Sequence, residues 1–192
     1  MEKLSADYWN NRYKESTDFW DLKEISPPFK AYIDQLLDKN LRILIPGCGY
    51  GYEGKYLFDK GFKNVFLLDF AEEPLLNFRK ENPEFPVENL IKDDFFTHTG
   101  KYDLILEQTL FCAIDPKLRR DYSKKTSELL DLKGKLVGLL FNREFDVEPP
   151  YGGNKEEYLT YFTPFFSTVE MENCYNSILP RMGSELFVKM VK

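Results

Sequence analysis

Three glycines alternate at Gly47, Gly49 and Gly51, directly after the apolar run Ile43-Leu44-Ile45-Pro46 and ahead of a segment with helical spacing. A strand that turns through such glycines into a helix brings bare main-chain amides close to a ligand, because glycine adopts positive φ and carries no Cβ. The dinucleotide fingerprint would need a glycine at position 52, where the chain has Tyr52, and no Lys-Ser or Lys-Thr pair follows as a triphosphate loop requires. Asp69 ends the next apolar run, where a carboxylate can accept hydrogen bonds from both hydroxyls of a ribose; the competing use is as a cap for the following helix. Asp94 and Phe95 close a third run, offering an acceptor for an adenine amino group and a ring for its face, or else a turn acid and a core aromatic. Loop and acids together predict a site for an adenosine-containing ligand.

Aromatics make up 16% of the chain, and Trp9, Tyr13, Phe19 and Trp20 gather near its start. They read as a water-poor pocket or as a packing stripe. Tyr151, in the proline- and glycine-rich loop from Asn142 to Asn154, and Arg181, ahead of the last apolar run, are candidates to face a second substrate. His98, the single histidine, reads as part of a surface turn and is left outside the site, so no catalytic acid or base is named. Cys48, Cys112 and Cys174 are odd in number and lack CxxC spacing, which predicts reduced thiols and no metal site.

The elements that must position these residues alternate. Strands are predicted at Arg42 to Ile45, Asn64 to Asp69, Val87 to Ile91, Tyr102 to Glu107 and Lys135 to Phe141, with a late antiparallel pair at Phe166 to Glu172 and Glu185 to Val191. Helices are predicted at Pro27 to Leu37, Gly51 to Lys60, Glu72 to Glu81, Lys117 to Leu130 and Lys155 to Phe162, with Leu118, Tyr122 and Leu129 on one buried face. The pattern specifies an α/β fold: a seven-stranded sheet, mostly parallel with an antiparallel C-terminal hairpin, and helices on both faces.

At 192 residues the chain is expected to form a single domain, residues 1–192, with a cap or lid over residues 1–40. The net charge of −6 without a basic block argues against nucleic acid as partner. No apolar run is long enough to span a membrane, and the first ten residues lack the pattern of a secretory signal, so a cytoplasmic monomer is expected.

Five stretches carry a resemblance across nearly the whole chain: Trp9 and Trp20 with Asp21, "PGCGYGYE" at Pro46 to Glu53, "DFF" at Asp94 to Phe96, "TLFCAI" at Thr109 to Ile114 followed by "LRR", and a Gly-Gly pair followed by "EEY" at Glu156 to Tyr158. In these the sequence resembles the thiopurine S-methyltransferase-like family, including the thiol and halide methyltransferases. The resemblance implies a Rossmann-like fold binding S-adenosylmethionine, released as S-adenosylhomocysteine, and methylation of a small soft nucleophile such as a thiol, thiopurine or halide. It implies that Trp9, Tyr13 and Trp20 close over the cofactor, that Gly47 and Gly49 underlie it, that Asp69 and Phe70 take the ribose end, and that Asp94 and Phe95 flank the adenine. Gln108 would lie close to cofactor and acceptor; Phe19, Tyr151 and Arg181 are acceptor-side candidates by their positions in the chain and not by the resemblance. Tyr13 stands where many relatives have tryptophan, and Gln108 where they have tyrosine or arginine; a neutral amide lacks arginine's charged contact with an anionic substrate. Another small-molecule acceptor, or a protein that binds the cofactor without transferring its methyl, are the alternative readings.

Overall fold

The computed structural model describes residues 4–17 and 20–192. Its seven strands are ordered β3-β2-β1-β4-β5-β7-β6 in one sheet. The chain divides into two compact units, one ending at His98 and the other spanning Thr99–Lys192.

In the first unit, β1 (Ile43–Pro46), β2 (Val65–Asp69) and β3 (Leu90–Lys92) run parallel, with Pro46 opposite Leu68 and Asp69 opposite Lys92. β1 is buried along its whole length and β2 nearly so, as strands covered on both faces must be. Between them run α3 (Tyr52–Asp59) and α4 (Glu72–Glu81), and ahead of them α1 (Ala6–Lys14) and α2 (Pro27–Ile33). Ser5 caps α1 by accepting from the Tyr8 amide at 3.2 Å, with Asp7 in the first turn and Arg12 and Lys14 in the last, charges that suit the helix dipole. The cap and charge signals for α1 were present in the sequence, although no helix was expected there.

Two expected boundaries in this unit shift by more than one residue. Residues Val87–Asn89 form a 3-10 turn rather than the start of β3, because Pro86 fixes φ at −59° and its carbonyl takes the Asn89 amide at 3.0 Å. The helix opened by Pro27 and Pro28 stops at Ile33, and Asp34 beyond it is tied to α3 by the Tyr56 hydroxyl and the Lys60 ammonium, each at 2.7 Å.

In the second unit, β4 (Tyr102–Gln108) pairs parallel with β5 (Leu130–Phe141), while β7 (Glu185–Val191) runs antiparallel to both β5 and β6 (Thr168–Asn173). The expected C-terminal antiparallel pair is therefore present. β5 begins five residues earlier than expected, across an irregularity where the register jumps from Tyr102 opposite Leu130 to Leu104 opposite Lys135. Helices α5 (Leu110–Ala113), α6 (Arg119–Leu129) and α7 (Lys155–Phe162) complete the unit. α5 is a single turn that the pattern does not reveal. α6 starts at Arg119 because Asp115 caps a separate 3-10 turn over Pro116–Leu118; Leu118 lies in that turn and is 39% exposed, not on the buried face. That face instead holds Tyr122, Leu129 and the hydroxyls of Ser123 and Thr126, which return to the carbonyls of Arg119 and Tyr122 at 2.9 and 2.8 Å.

Gly54, in the middle of α3, packs on β2 so closely that a Cβ there would lie 2.5 Å from Cδ2 of the fully buried Leu67. Gly54→Val is expected to destabilise the fold by about 1–3 kcal/mol, read as a lowered melting temperature; a variant that melts with the wild type would contradict this packing.

Candidate active site

The parallel register of the first unit sets the turn after β1, the end of β2 and the turn after β3 side by side. The Cys48 amide donates to the Leu68 carbonyl at 3.1 Å and the Asp93 amide to the Asp69 carbonyl at 3.2 Å. Gly47, Gly49 and Gly51 all have positive φ, at 61°, 52° and 70°. A Cβ at Gly49 would sit 3.0 Å from the Tyr13 hydroxyl, a tight contact that adds to the strain of its positive φ. This is the carboxyl edge of parallel strands, where open α/β sheets bind ligands.

Asp69 is 5% exposed, and one carboxylate oxygen accepts from the Gly49 amide at 3.1 Å, the other from Ala71 at 2.9 Å. The Phe70 amide donates to it as well. Asp69 thus lies beside the glycine loop and, in the helix-start use foreseen for it, also holds the beginning of α4. Burial pushes its carboxyl up to about 6, against the lowering effect of the three amides. Phe70 is half-buried beside it.

The N-terminal aromatics come together on this loop. Trp20 meets Trp9 and Tyr13 edge to face at centroid distances of 5.4 and 5.7 Å, and Tyr13 meets Tyr50 at 5.4 Å. Arg12 lies over Trp20 at 5.2 Å. α1 is docked by Asn10, whose side-chain oxygen accepts from the Glu73 amide at 2.9 Å; the N-cap of α4 is Ala71, whose side chain has no capping group, so Asn10 supplies the missing cap. Beyond Trp20, the Asp21 carboxylate takes the Lys23 amide and ammonium, each at 2.8 Å, and the Tyr52 hydroxyl. Tyr50, Tyr52, Asn10 and Asp21 had no assigned role in the sequence; the tyrosines between and beside the glycines were the available signal. Phe19 lies outside the described residues.

Asp94 and Phe95 sit in the turn after β3. Asp94 is exposed and accepts from the Phe96 amide at 2.9 Å, while the Phe95 ring is buried and meets Phe96 edge to face. His98 departs from the expected surface turn: it is 6% exposed, its amide donates to the Asp94 carbonyl, and its Nδ1 lies 3.1 Å from Asp93. The Thr97 and His98 amides both return to the Asp94 carbonyl, at 3.0 and 2.8 Å, and this tight turn brings the ring back against Asp93.

In the second unit, Gln108 is the half-buried last residue of β4. Tyr151 is buried; its amide donates to the Cys112 carbonyl at 2.7 Å, and its own carbonyl and that of Gly152 accept from the buried Arg119 guanidinium at 3.2 and 2.8 Å. Arg181 pairs with the buried Glu185 at 3.4 Å and lies over the Phe141 ring. Cys112, in the short helix α5 that follows Gln108 and Thr109, takes the Tyr151 amide on its carbonyl and feels the charges of Arg181 and Arg119. Among the described residues, no group of three His, Cys, Asp or Glu side chains is placed to hold a metal, and the three cysteines are buried free thiols.

The acids of the first unit give its stability a pH dependence. Desolvation raises Glu53 to about 7, as burial raises Asp69 to about 6. A carboxyl that holds its proton more tightly when folded contributes stability below its unfolded pKa of about 4 and loses that contribution as pH rises through its folded value. The melting temperature is expected to fall between about pH 5 and about pH 7.5, and to fall less in Asp69→Asn and Glu53→Gln; a profile unchanged by both variants would contradict the assignment.

The sequence matches the family described as Thiopurine S-methyltransferase (TPMT) over residues 4–188. It is 28% identical over 192 residues to "Probable thiol methyltransferase 2" of Arabidopsis thaliana and 29% identical over 191 residues to "Thiocyanate methyltransferase 1" of Brassica oleracea, in each case across 96% of this chain and 84% of the relative. The structure of 1,6-didemethyltoxoflavin-N1-methyltransferase from Burkholderia thailandensis, solved with S-adenosylhomocysteine, aligns with a TM-score of 0.77 at 16% identity over 98% of this chain and 87% of its own, a likeness of fold. With the match running from Leu4 to Val188, the chain belongs to the thiopurine S-methyltransferase family.

Proposed function

We propose that the protein transfers the methyl group of S-adenosylmethionine to the sulfur of a small neutral thiol, acting as a monomer in the cytoplasm. The observation that carries the reading is the cradle of the first unit: a positive-φ glycine loop, a buried carboxylate whose neighbouring donors are main-chain amides, and a cluster of Trp9, Tyr13, Trp20 and Tyr50. These residues fit the cofactor. Asp69 is an acceptor-only group when ionised, with a lone pair beyond those its three amides use, and suits a ribose hydroxyl. Gly47 and Gly49 admit the methionine portion close to the backbone, and the aromatic cluster suits a sulfonium. Asp94 and Phe95 take the adenine end, and α1 closes the site as a cap.

When bound, the cofactor supplies an activated methyl, and what remains for the chain is to position a nucleophile in line and exclude water. The charges on the acceptor side support a neutral substrate. Gln108 is an uncharged amide, and the Arg181 and Arg119 guanidiniums are matched by Glu185 and Glu157. A thiol must lose its proton before attack; an alkyl thiol like that of cysteine, with a pKa near 8.5, is only a few per cent ionised at neutral pH, and aryl thiols and hydrogen sulfide ionise at lower pH.

The test incubates the protein with methyl-labelled S-adenosylmethionine and, separately, thiophenol, hydrogen sulfide, a thiopurine and iodide. Labelled methyl sulfides are expected, with a rate that rises with pH as the thiol ionises, whereas any iodide product would form independently of pH. Methyl iodide as the dominant product would overturn the neutral-thiol reading, and cofactor binding without transfer to any acceptor would overturn the transferase reading. Asp69→Asn is expected to weaken S-adenosylhomocysteine binding at least tenfold by calorimetry, about 1.4 kcal/mol or more. Amide exchange across Ala6–Lys14 is expected to slow when S-adenosylhomocysteine binds; equal exchange would argue against the cap.

A further inference from the structure

Directly after Gln108, Thr109 has φ 74° and ψ −16°. A β-branched residue is an outlier in this left-handed region, and such strain persists only where its surroundings hold it. The hold comes from the residue before Gln108. Glu107 is 1% exposed; one carboxylate oxygen accepts from the Phe111 amide at 2.9 Å, and the Leu110 amide donates as well. Its other oxygen accepts from the hydroxyl of Tyr122, which is fully buried on α6. Space for this side chain comes from β5, where the partner of Glu107 is Gly138, and a Cβ there would lie 3.0 Å from the Glu107 Cβ. The Thr109 carbonyl accepts from the Cys112 thiol at 3.2 Å, closing the turn from its far side.

We infer that Glu107 and Tyr122 are positioning residues, which hold the strained Thr109 turn so that Gln108 meets the methyl acceptor in one fixed orientation. This rests on the reading that Gln108 contacts the acceptor. A group serving only to cap the single turn of α5 has no need of a strained threonine, since glycine at 109 would make the same turn without left-handed strain.

The experiment compares Tyr122→Phe, Thr109→Gly and Gln108→Ala in steady-state methylation of thiophenol, with S-adenosylhomocysteine calorimetry, thermal melting and amide exchange beside it. Tyr122→Phe and Thr109→Gly are expected to lower kcat/KM for the thiol about tenfold or more (a tenfold change corresponding to about 1.4 kcal/mol) while the Kd of S-adenosylhomocysteine stays within about twofold. Thr109→Gly is expected to melt at or above the wild-type temperature, so its loss of activity is not a loss of fold. The Phe111 amide is expected to exchange faster in Tyr122→Phe. Wild-type kinetics in both Tyr122→Phe and Thr109→Gly, beside an impaired Gln108→Ala, would overturn the positioning role alone. An unimpaired Gln108→Ala would remove the reading beneath it, and the positioning role with it.

Discussion

The carboxylate of Asp69 joins two parts of the first unit, the glycine loop twenty residues before it and the helix start just after it. By taking the amides of Gly49 and Ala71 it fixes the glycine loop, at the carboxyl end of β1, against the start of α4, at the carboxyl end of β2. A carboxylate this buried is costly unless its oxygens are satisfied by donors, and the main-chain amides meet that requirement. The rest of the site follows from this point. The loop turns where Tyr13 can reach Gly49, α4 starts where Asn10 can cap it, and α1 thereby lies beside the loop.

The second unit solves a similar problem with a second buried acid. Glu107 also sits near the carboxyl end of a parallel strand and also accepts from main-chain amides of the turn beyond, while Tyr122 takes its remaining oxygen. Burial pushes its carboxyl up to about 7. In each unit a strand-end carboxylate, rather than a glycine or a turn residue alone, determines how the following turn is presented. The acceptor-side loop is held in a comparable way by Arg119, which binds the carbonyls of Tyr151 and Gly152 and pairs with Glu157. These are charges used to hold backbone geometry, and each is engaged within its own unit.

Much of this was legible along the chain because it depends on local order. Hydrophobic period separates strands from helices, and β7, α4 and α7 occupy the residues it indicates. The run of three glycines after an apolar strand and the acid ending the next strand are adjacent in space because parallel strands align their ends, which the alternating pattern already implied. Glu107 and Tyr122 were not legible as a pair. One lies at the end of a strand and the other in the middle of a helix, and neither belongs to a motif by type or spacing.

What the sequence determined by itself is therefore the class of fold, the carboxyl edge at which ligands bind, and the chemical character of the loop, through residue types whose effect is local: glycine at positive φ, an acid at a strand end, proline at a helix start. What only the tertiary structure decided is which groups satisfy one another across long separations. Asn10 caps a helix 63 residues away, Tyr122 donates to Glu107, and His98 turns inward to Asp93 where a surface position was expected. The physical reason is that buried polar groups must find partners, and in a packed core the partner is set by the distance between elements rather than by distance along the chain.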